Sequence, residues 1–242
     1  MRPAGPHGFP ECEVRTSVRA RSAKIEVFYP GRIRVTVPWG FSRKRVTDLL
    51  EQKKSWVARV LKKFADHARE TASGEQGTVP AVLELRASGE TWAIIPEPER
   101  TKRFRLYEGE GSRLHLQGPM PEPQAVQRRL RVWLAAKGRR DLVPALRSLA
   151  RETGLEFTGA SVRFQQSRWG SCSARRMISL NAKLLFLPPG LVRYIFIHEL
   201  CHTRHLNHSR SFWELVLKHD PLCHEHRRQM RSAWKYVPAW LS

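Results

Sequence analysis

The stretch Leu191-Val192-Arg193-Tyr194-Ile195-Phe196-Ile197-His198-Glu199-Leu200-Cys201-His202 decides how this chain is read. Its first seven residues are apolar almost all round, which predicts a deeply buried helix. Polar side chains are costly in such a helix unless something compensates them, and a metal ion is the simplest compensation. Residues four apart on a helix stack on one face, so His198 and His202 can direct ring nitrogens at one ion. Glu199 is rotated from His198 by about 100°, close enough to reach a metal-bound water but not the metal itself. Zinc lowers the pKa of such a water to roughly 7, and the glutamate takes its proton as the water attacks a carbonyl. The expected activity is that of a zinc-dependent hydrolase, first of all a peptidase, with Glu199 as the base.

A catalytic zinc takes a third protein ligand and keeps one position for water. His205, His208 and His219 lie just downstream. On a continued helix His205 would sit roughly 10 Å along the axis from His198, too far to join. His208 comes within reach if the chain reverses first, and Asn207 is a residue type that tolerates the left-handed conformation that ends helices. Ser211 and Glu214 read as a capping box for a helix over Phe212–His219, which leaves His208 in the turn between two helices. His208 is the preferred ligand and His205 the competitor.

Working outward, Pro188-Pro189 opens the helix. Strands are expected over Val162–Gln166 and Ile178–Leu187, on either side of Trp169-Gly170-Ser171-Cys172. Ser167 to Ser173 reads either as the approach to an edge strand that pairs with an extended substrate or as a tight turn anchored by Trp169. Gly170 would permit close backbone approach. Arg168 reads first as an exposed surface arginine and second as a candidate donor to a substrate carbonyl or phosphate. Tyr194, four residues before His198, is a candidate for the pocket wall or for the core; with Arg168, Trp169 and Gly170 it completes the expected substrate contacts. Cys201 reads as a small packing hydrophobe. Asp220-Pro221 reads as an N-cap and first helical residue beside His219, His224 and His226.

Three pieces are expected along the chain: a disordered basic extension over 1–17, a strand-rich part over 18–120, and a compact hydrolase part over 121–242. In the first twenty residues Pro, Gly and Arg abound. Alternating Ile25, Val27, Ile33, Val35 and Val37 predict a hairpin over Lys24–Pro38, turning at Tyr29-Pro30-Gly31-Arg32. Val46 to Ala68 is helical in pattern, and a polar loop follows over Thr71–Thr78. Short strands are expected from Val82 to Leu116. A long amphipathic helix carries Val126, Leu130, Leu134, Leu142 and Leu146 on one stripe, with Pro144 expected to kink or split it. The fold class is α+β.

The run His198-Glu199-Leu200-Cys201-His202, with Asn207-His208-Ser209 and Phe212-Trp213, resembles the YgjP-like metallopeptidases, relatives of the WLM and SprT-type peptidases. Ser167-Arg168-Trp169-Gly170-Ser171-Cys172-Ser173 and the strand Ile178-Ser179-Leu180-Asn181 carry the same resemblance, which spans roughly residues 18 to 236. It implies a compact zincin-like part holding zinc on His198, His202 and His208, with Glu199 as base. Thr203 and His205 depart from the long apolar or acidic residues usual there, which keeps His205 in competition. The resemblance also brings a second activity, metal-dependent nucleoside-triphosphate (UTP-type) pyrophosphate hydrolysis.

Among 242 residues, 43 are Lys or Arg and 22 are Asp or Glu, a formal charge of +21. Such an excess favours acidic partners and leaves open a nucleic-acid-associated module with little turnover. No run of 18 apolar residues exists, the first residues lack an apolar signal core, and the 4 cysteines form no Cys-x-x-Cys pair. A cytoplasmic protein without a membrane span is expected, acting on a polypeptide; its oligomeric state is not legible. The charge predicts binding to DNA or RNA without sequence preference, weakening by orders of magnitude over a few-fold rise in salt. Anisotropy at two salt concentrations measures this, and no binding at low salt would mean that the charge is merely solvated.

Overall fold

The computed structural model describes residues 12–18, 20–28, 31–71, 79–97 and 102–241. The chain divides into two compact units, residues 1–75 with Ser242, and residues 76–241.

In the first unit, β1 (Cys12–Ser17), β2 (Lys24–Phe28) and β3 (Arg32–Pro38) form a sheet in the order β1-β3-β2. The expected hairpin is β2–β3, antiparallel with Val27 opposite Ile33; Tyr29 and Pro30 of its turn lie outside the described residues. Ile33, Val35 and Val37 are buried at every second position, as a one-sided strand requires. The expectation of disorder over 1–17 is corrected for Cys12–Ser17, which pair parallel with β3 from Cys12 opposite Ile33. Two interactions far along the chain hold this strand: Cys12 is buried, and Arg34 Nε donates to Glu13 Oε2 at 2.9 Å. Residues 1–11 lie outside the described residues.

The single helix expected over Val46–Ala68 is two, α1 (Arg43–Gln52) and α2 (Lys54–Thr71). Ser42 caps α1 by accepting from Arg45 N, and Lys53 departs from helical geometry at φ −101°. With this break Val46, Leu50 and Val57 all reach one core with β3. Of the loop expected over Thr71–Thr78, residues 72–78 lie outside the described residues.

The second unit opens with β4 (Val82–Leu85), β5 (Glu90–Glu97), β6 (Arg105–Gly109) and β7 (Arg113–Gln117), ordered β4-β5-β7-β6. Then come α3 (Pro123–Thr153), β8 (Gly159–Arg163), β9 (Gly170–Cys172) and β10 (Met177–Asn181). A 3-10 helix (Ala182–Phe186) leads to α4 (Pro189–Cys201), α5 (Arg210–His219) and α6 (Cys223–Met230). The architecture is α+β, as expected. The expected boundary after residue 120 is not where the units part. Leu83, Leu85, Ile94, Leu114 and Leu116 of the four-stranded sheet share one core with α3 and α4, so that sheet belongs to the second unit.

Pro144 does not split α3, which runs unbroken for 31 residues and ends on Gly154 in the left-handed region at φ 68°. A proline inside a helix costs about 3 kcal/mol or more. Leu142 and Leu146 beside it are 3% and 0% exposed, and each such burial contributes ~1.5–3 kcal/mol. The stripe therefore outweighs the break. The strand expected over Ile178–Leu187 ends at Asn181, whose Oδ1 accepts from Lys183 N at 3.1 Å and starts the 3-10 helix. Residues 182–187 are buried all round, and an apolar run without alternation does not tell strand from helix.

The second small sheet has the order β8-β10-β9, parallel between β8 and β10 and antiparallel between β10 and β9, which leaves β9 at an edge. Among the described residues, no helix is long and apolar enough to cross a membrane.

Candidate metal centre

Helix α4 starts as read, with Pro188 at the N-cap and Pro189 first in the helix. Leu191, Val192, Tyr194 to Ile197 and Glu199 to Cys201 are all buried. One turn apart, the His198 and His202 rings have centroids 4.8 Å from each other.

The chain reverses after His202, but not through a left-handed Asn207. Among the described non-glycine residues only Ser112 and Arg176 have positive φ. Instead Thr203 N donates to Leu200 O at 2.9 Å, and Arg204 N and His205 N donate to Cys201 O at 3.1 and 3.0 Å. These successive turns use up the last carbonyls of α4. The next helix is capped by Ser209, whose Oγ accepts from Phe212 N. The expected Ser211–Glu214 capping box is replaced, and Glu214 pairs with Arg210 at 2.7 Å.

This reversal brings His208 back over α4. Its Nε2 lies 3.2 Å from His198 Nε2, and ring nitrogens of His198, His202 and His208 all lie within 4.8 Å of one another. His205 stays out of the group and offers its backbone: its carbonyl is 2.9 Å from His202 Nδ1. A proton on Nδ1 directed there leaves Nε2 of His202 as a free electron pair. Phe212 stacks on His202 with centroids 4.5 Å apart, and Trp213 stacks on His208 at 5.6 Å. Arg227 in turn lies 4.4 Å over the Trp213 ring.

Burial holds the His198 imidazole down to about 3, with His202, His208 and Arg227 adding to the effect. His202 is lowered by burial as well, against the opposing His205 carbonyl, with His208 lowering it further. Burial thus disfavours the protonated form of both rings, the form that cannot bind a metal. Burial pushes the Glu199 carboxyl up to about 8, and the positive charge of Arg168 works against it. Two polar atoms of α4, His198 Nδ1 and Glu199 Oε2, are buried without a hydrogen-bond partner. Converging nitrogens and an uncompensated carboxylate oxygen beside them fit a bound metal ion.

Strand β9 forms the roof. A Cβ on Gly170 would lie 2.7 Å from both Cγ and Oε1 of Glu199, so only glycine leaves room for that side chain. The approach to β9 is held by Asn181, which is 0% exposed. Its Nδ2 donates to Gln165 O at 2.9 Å and Arg168 O at 2.8 Å, and its backbone N donates to Trp169 O at 2.9 Å. Trp169 stacks on Trp234 with centroids 4.3 Å apart, so the segment is both an anchored turn and an edge strand. Arg168 is exposed.

Tyr194 is 4% exposed and sits with its ring 6.1 Å from His198 and 6.0 Å from His226. It packs behind the ligands, and burial pushes its hydroxyl up to about 12. Cys201 is buried, its thiol likewise raised by burial to about 12, in keeping with inert packing. Asp220 does not begin a helix as expected. It ends α5, and its carboxylate accepts from Leu222 N at 3.2 Å and faces His226 Nδ1 at 2.8 Å. Reading the sequence missed Asn181 as a clamp; the available signal was an amide ending an apolar strand. It also missed the ring collar, although Phe212-Trp213 stood in plain view.

A family described as YgjP-like, metallopeptidase domain, matches residues 21–233. The crystal structure of the metallopeptidase zymogen of Pyrococcus abyssi abylysin is 25% identical over 38% of this chain and 92% of that one, with a TM-score of 0.35. No curated protein matches the chain.

Replacing Asn181 with alanine strips the amide from two backbone carbonyls, at about 1–3 kcal/mol for each group left buried and unsatisfied. Denaturant unfolding of Asn181→Ala should show a loss well above 1 kcal/mol on the same basis. A change lost in experimental scatter would mean that Asn181 clamps nothing.

Proposed function

The chain belongs to the YgjP-like family of metallopeptidase domains, and we propose that it is a zinc peptidase in which His198, His202 and His208 hold the metal and Glu199 is the general base. The convergence of three imidazole nitrogens beside the unpartnered Glu199 Oε2 carries this reading. Three nitrogen donors suit zinc, whereas magnesium and calcium take oxygen. When bound, zinc supplies a Lewis acid that acidifies water and polarises a carbonyl.

Glu199 Oε2 accepts the proton of the attacking water and delivers it to the amine nitrogen as the C–N bond breaks. Burial raises the Glu199 carboxyl, and the positive charge of Arg168 opposes that rise, toward the ionised form that this step needs. Gly170 keeps the backbone close above Glu199, and Tyr194 braces the His198 ring from behind.

The substrate is an extended polypeptide. Ser173 N donates to Met177 O, and Asn181 N to Trp169 O. Antiparallel bonding alternates, so residues 169, 171 and 173 bond inward to β10, while Gly170 and Cys172 turn their N–H and C=O groups to the free edge. A peptide added there is a further strand, flanked by Arg168 and Trp169. Nucleoside-triphosphate hydrolysis would call for carboxylates holding Mg²⁺ at the phosphates. Among the described residues, the group able to hold a metal is three histidines. A cytoplasmic setting is part of the proposal and rests on the four free cysteines.

His208→Ala should lose most bound zinc in metal analysis after dialysis. Full occupancy there, with loss in His205→Ala instead, would refute the ligand set. Glu199→Gln should keep zinc and melting temperature while cutting hydrolysis of unfolded polypeptide by about 100-fold or more. Nucleoside triphosphates run in parallel: pyrophosphate release abolished by Glu199→Gln, with no peptide cut, would overturn the peptidase reading and favour the other bond.

Gly170→Ala forces the Glu199 side chain to shift while leaving the three histidines untouched. Turnover should fall at unchanged zinc content, and normal turnover in this variant would show that Glu199 need not lie beneath β9.

A further inference from the structure

On the face of the β8-β10-β9 sheet turned away from the core lies a groove of about 540 Å³, which shares only Arg168 with the residues given a role above. Ile178 and Leu180 point into the core, so Ser179 between them points the other way. Ser179 pairs with Ser161 on one side and Ser171 on the other. Three hydroxyls therefore stand in a row across the sheet. Arg163, Gln165 and Arg168 line the same groove.

Two of these side chains are already fixed by the row. Arg163 Nη2 donates to Ser161 Oγ at 3.2 Å, and Gln165 Nε2 donates to Ser179 Oγ at 3.1 Å. Elsewhere in this unit Arg193 and Arg210 are paired with Glu152 and Glu214. Among the described residues, no carboxylate lines the groove. Two guanidinium groups, an amide and a hydroxyl row make a receptor for an anion, and guanidinium suits carboxylate and phosphate alike.

The strand register says how an anion would arrive. A peptide on the free edge bonds to Gly170 and Cys172, and its residue between them lies opposite Ser171. Side chains directly opposite share a face. That residue therefore projects into the groove, next to the one held over Glu199. We propose that the groove is a specificity subsite selecting polypeptides with an anionic side chain at this position; the inference rests on the peptidase reading above.

Binding can be read without turnover, in the full-length, zinc-loaded chain carrying Glu199→Gln. The probes are labelled extended peptides bearing one Glu, Gln, Lys or phosphoserine at each position in turn, measured by anisotropy. At one position, Glu or phosphoserine should bind ~10-fold more tightly than Gln or Lys. The tighter of the two anions shows whether the carboxylate or the phosphorylated residue is the intended occupant. Adding Arg163→Glu should reverse the order toward Lys, measured relative to the Gln peptide in the same variant, which a merely structural role for Arg163 would not do. Equal binding of all four residues at every position, no binding at all, or an anion preference that survives both Arg163→Glu and Arg168→Glu would overturn the proposal. Failure of the peptidase reading looks different: the unsubstituted chain then cuts none of the peptides, whatever their binding order.

Discussion

Carrying His198 and Glu199 into the interior on a helix buried along most of its length sets the terms for everything around them. Removing an ionisable group from water costs several kcal/mol unless a partner replaces the water. The protein supplies few such partners, since His198 Nδ1 and Glu199 Oε2 are left without any. What it does supply is geometry. His208 returns to within 3.2 Å of His198, and rings from Phe212 and Trp213 close the sides. A glycine in the roof makes space for the carboxylate. Burial is also useful in itself: it strips protons from imidazoles and strengthens every charge interaction nearby.

Such a site works only if its parts stay within a few tenths of an ångström of their places. The second unit meets that need by continuity. One apolar core runs from the four-stranded sheet through α3 to α4, and the 3-10 helix of Ala182–Phe186 is buried within it. Asn181 stands where β10 ends and this helix begins. Its side chain holds Gln165 and Arg168 by their carbonyls, so the position of β9 over Glu199 is tied to the core and not to the surface.

The reading from sequence succeeded where the physics is local. Four-residue spacing on an apolar helix put His198 and His202 together, and chain reversal singled out His208 from its neighbours. The cap was misplaced by two residues, Ser209 for Ser211, because both are serines ahead of the same apolar run. Reversal at Asn207 failed for a related reason: a residue that tolerates left-handed geometry does not require it, and successive turns on Cys201 O did the work. Long-range pairing was out of reach. Nothing in Cys12–Ser17 announces a parallel partner at β3, and residues 182–187 carry no alternation to separate strand from 3-10 helix. Gly170 was singled out for close approach, but its neighbour Glu199, twenty-nine positions on, could be found only in three dimensions.

The shortness of β9 has a bearing on what happens between encounters. An open sheet edge is a template for any exposed chain, and long flat edges invite fibril growth. Stable cross-β stacking draws on segments of about six or seven residues. With three residues in the strand and only two of them, Gly170 and Cys172, facing outward, this edge can hold a guest briefly but cannot nucleate a stack. Under the proposed docking of an extended polypeptide at this edge, such brevity would let an aggregation-prone guest bind and leave again without seeding a stack.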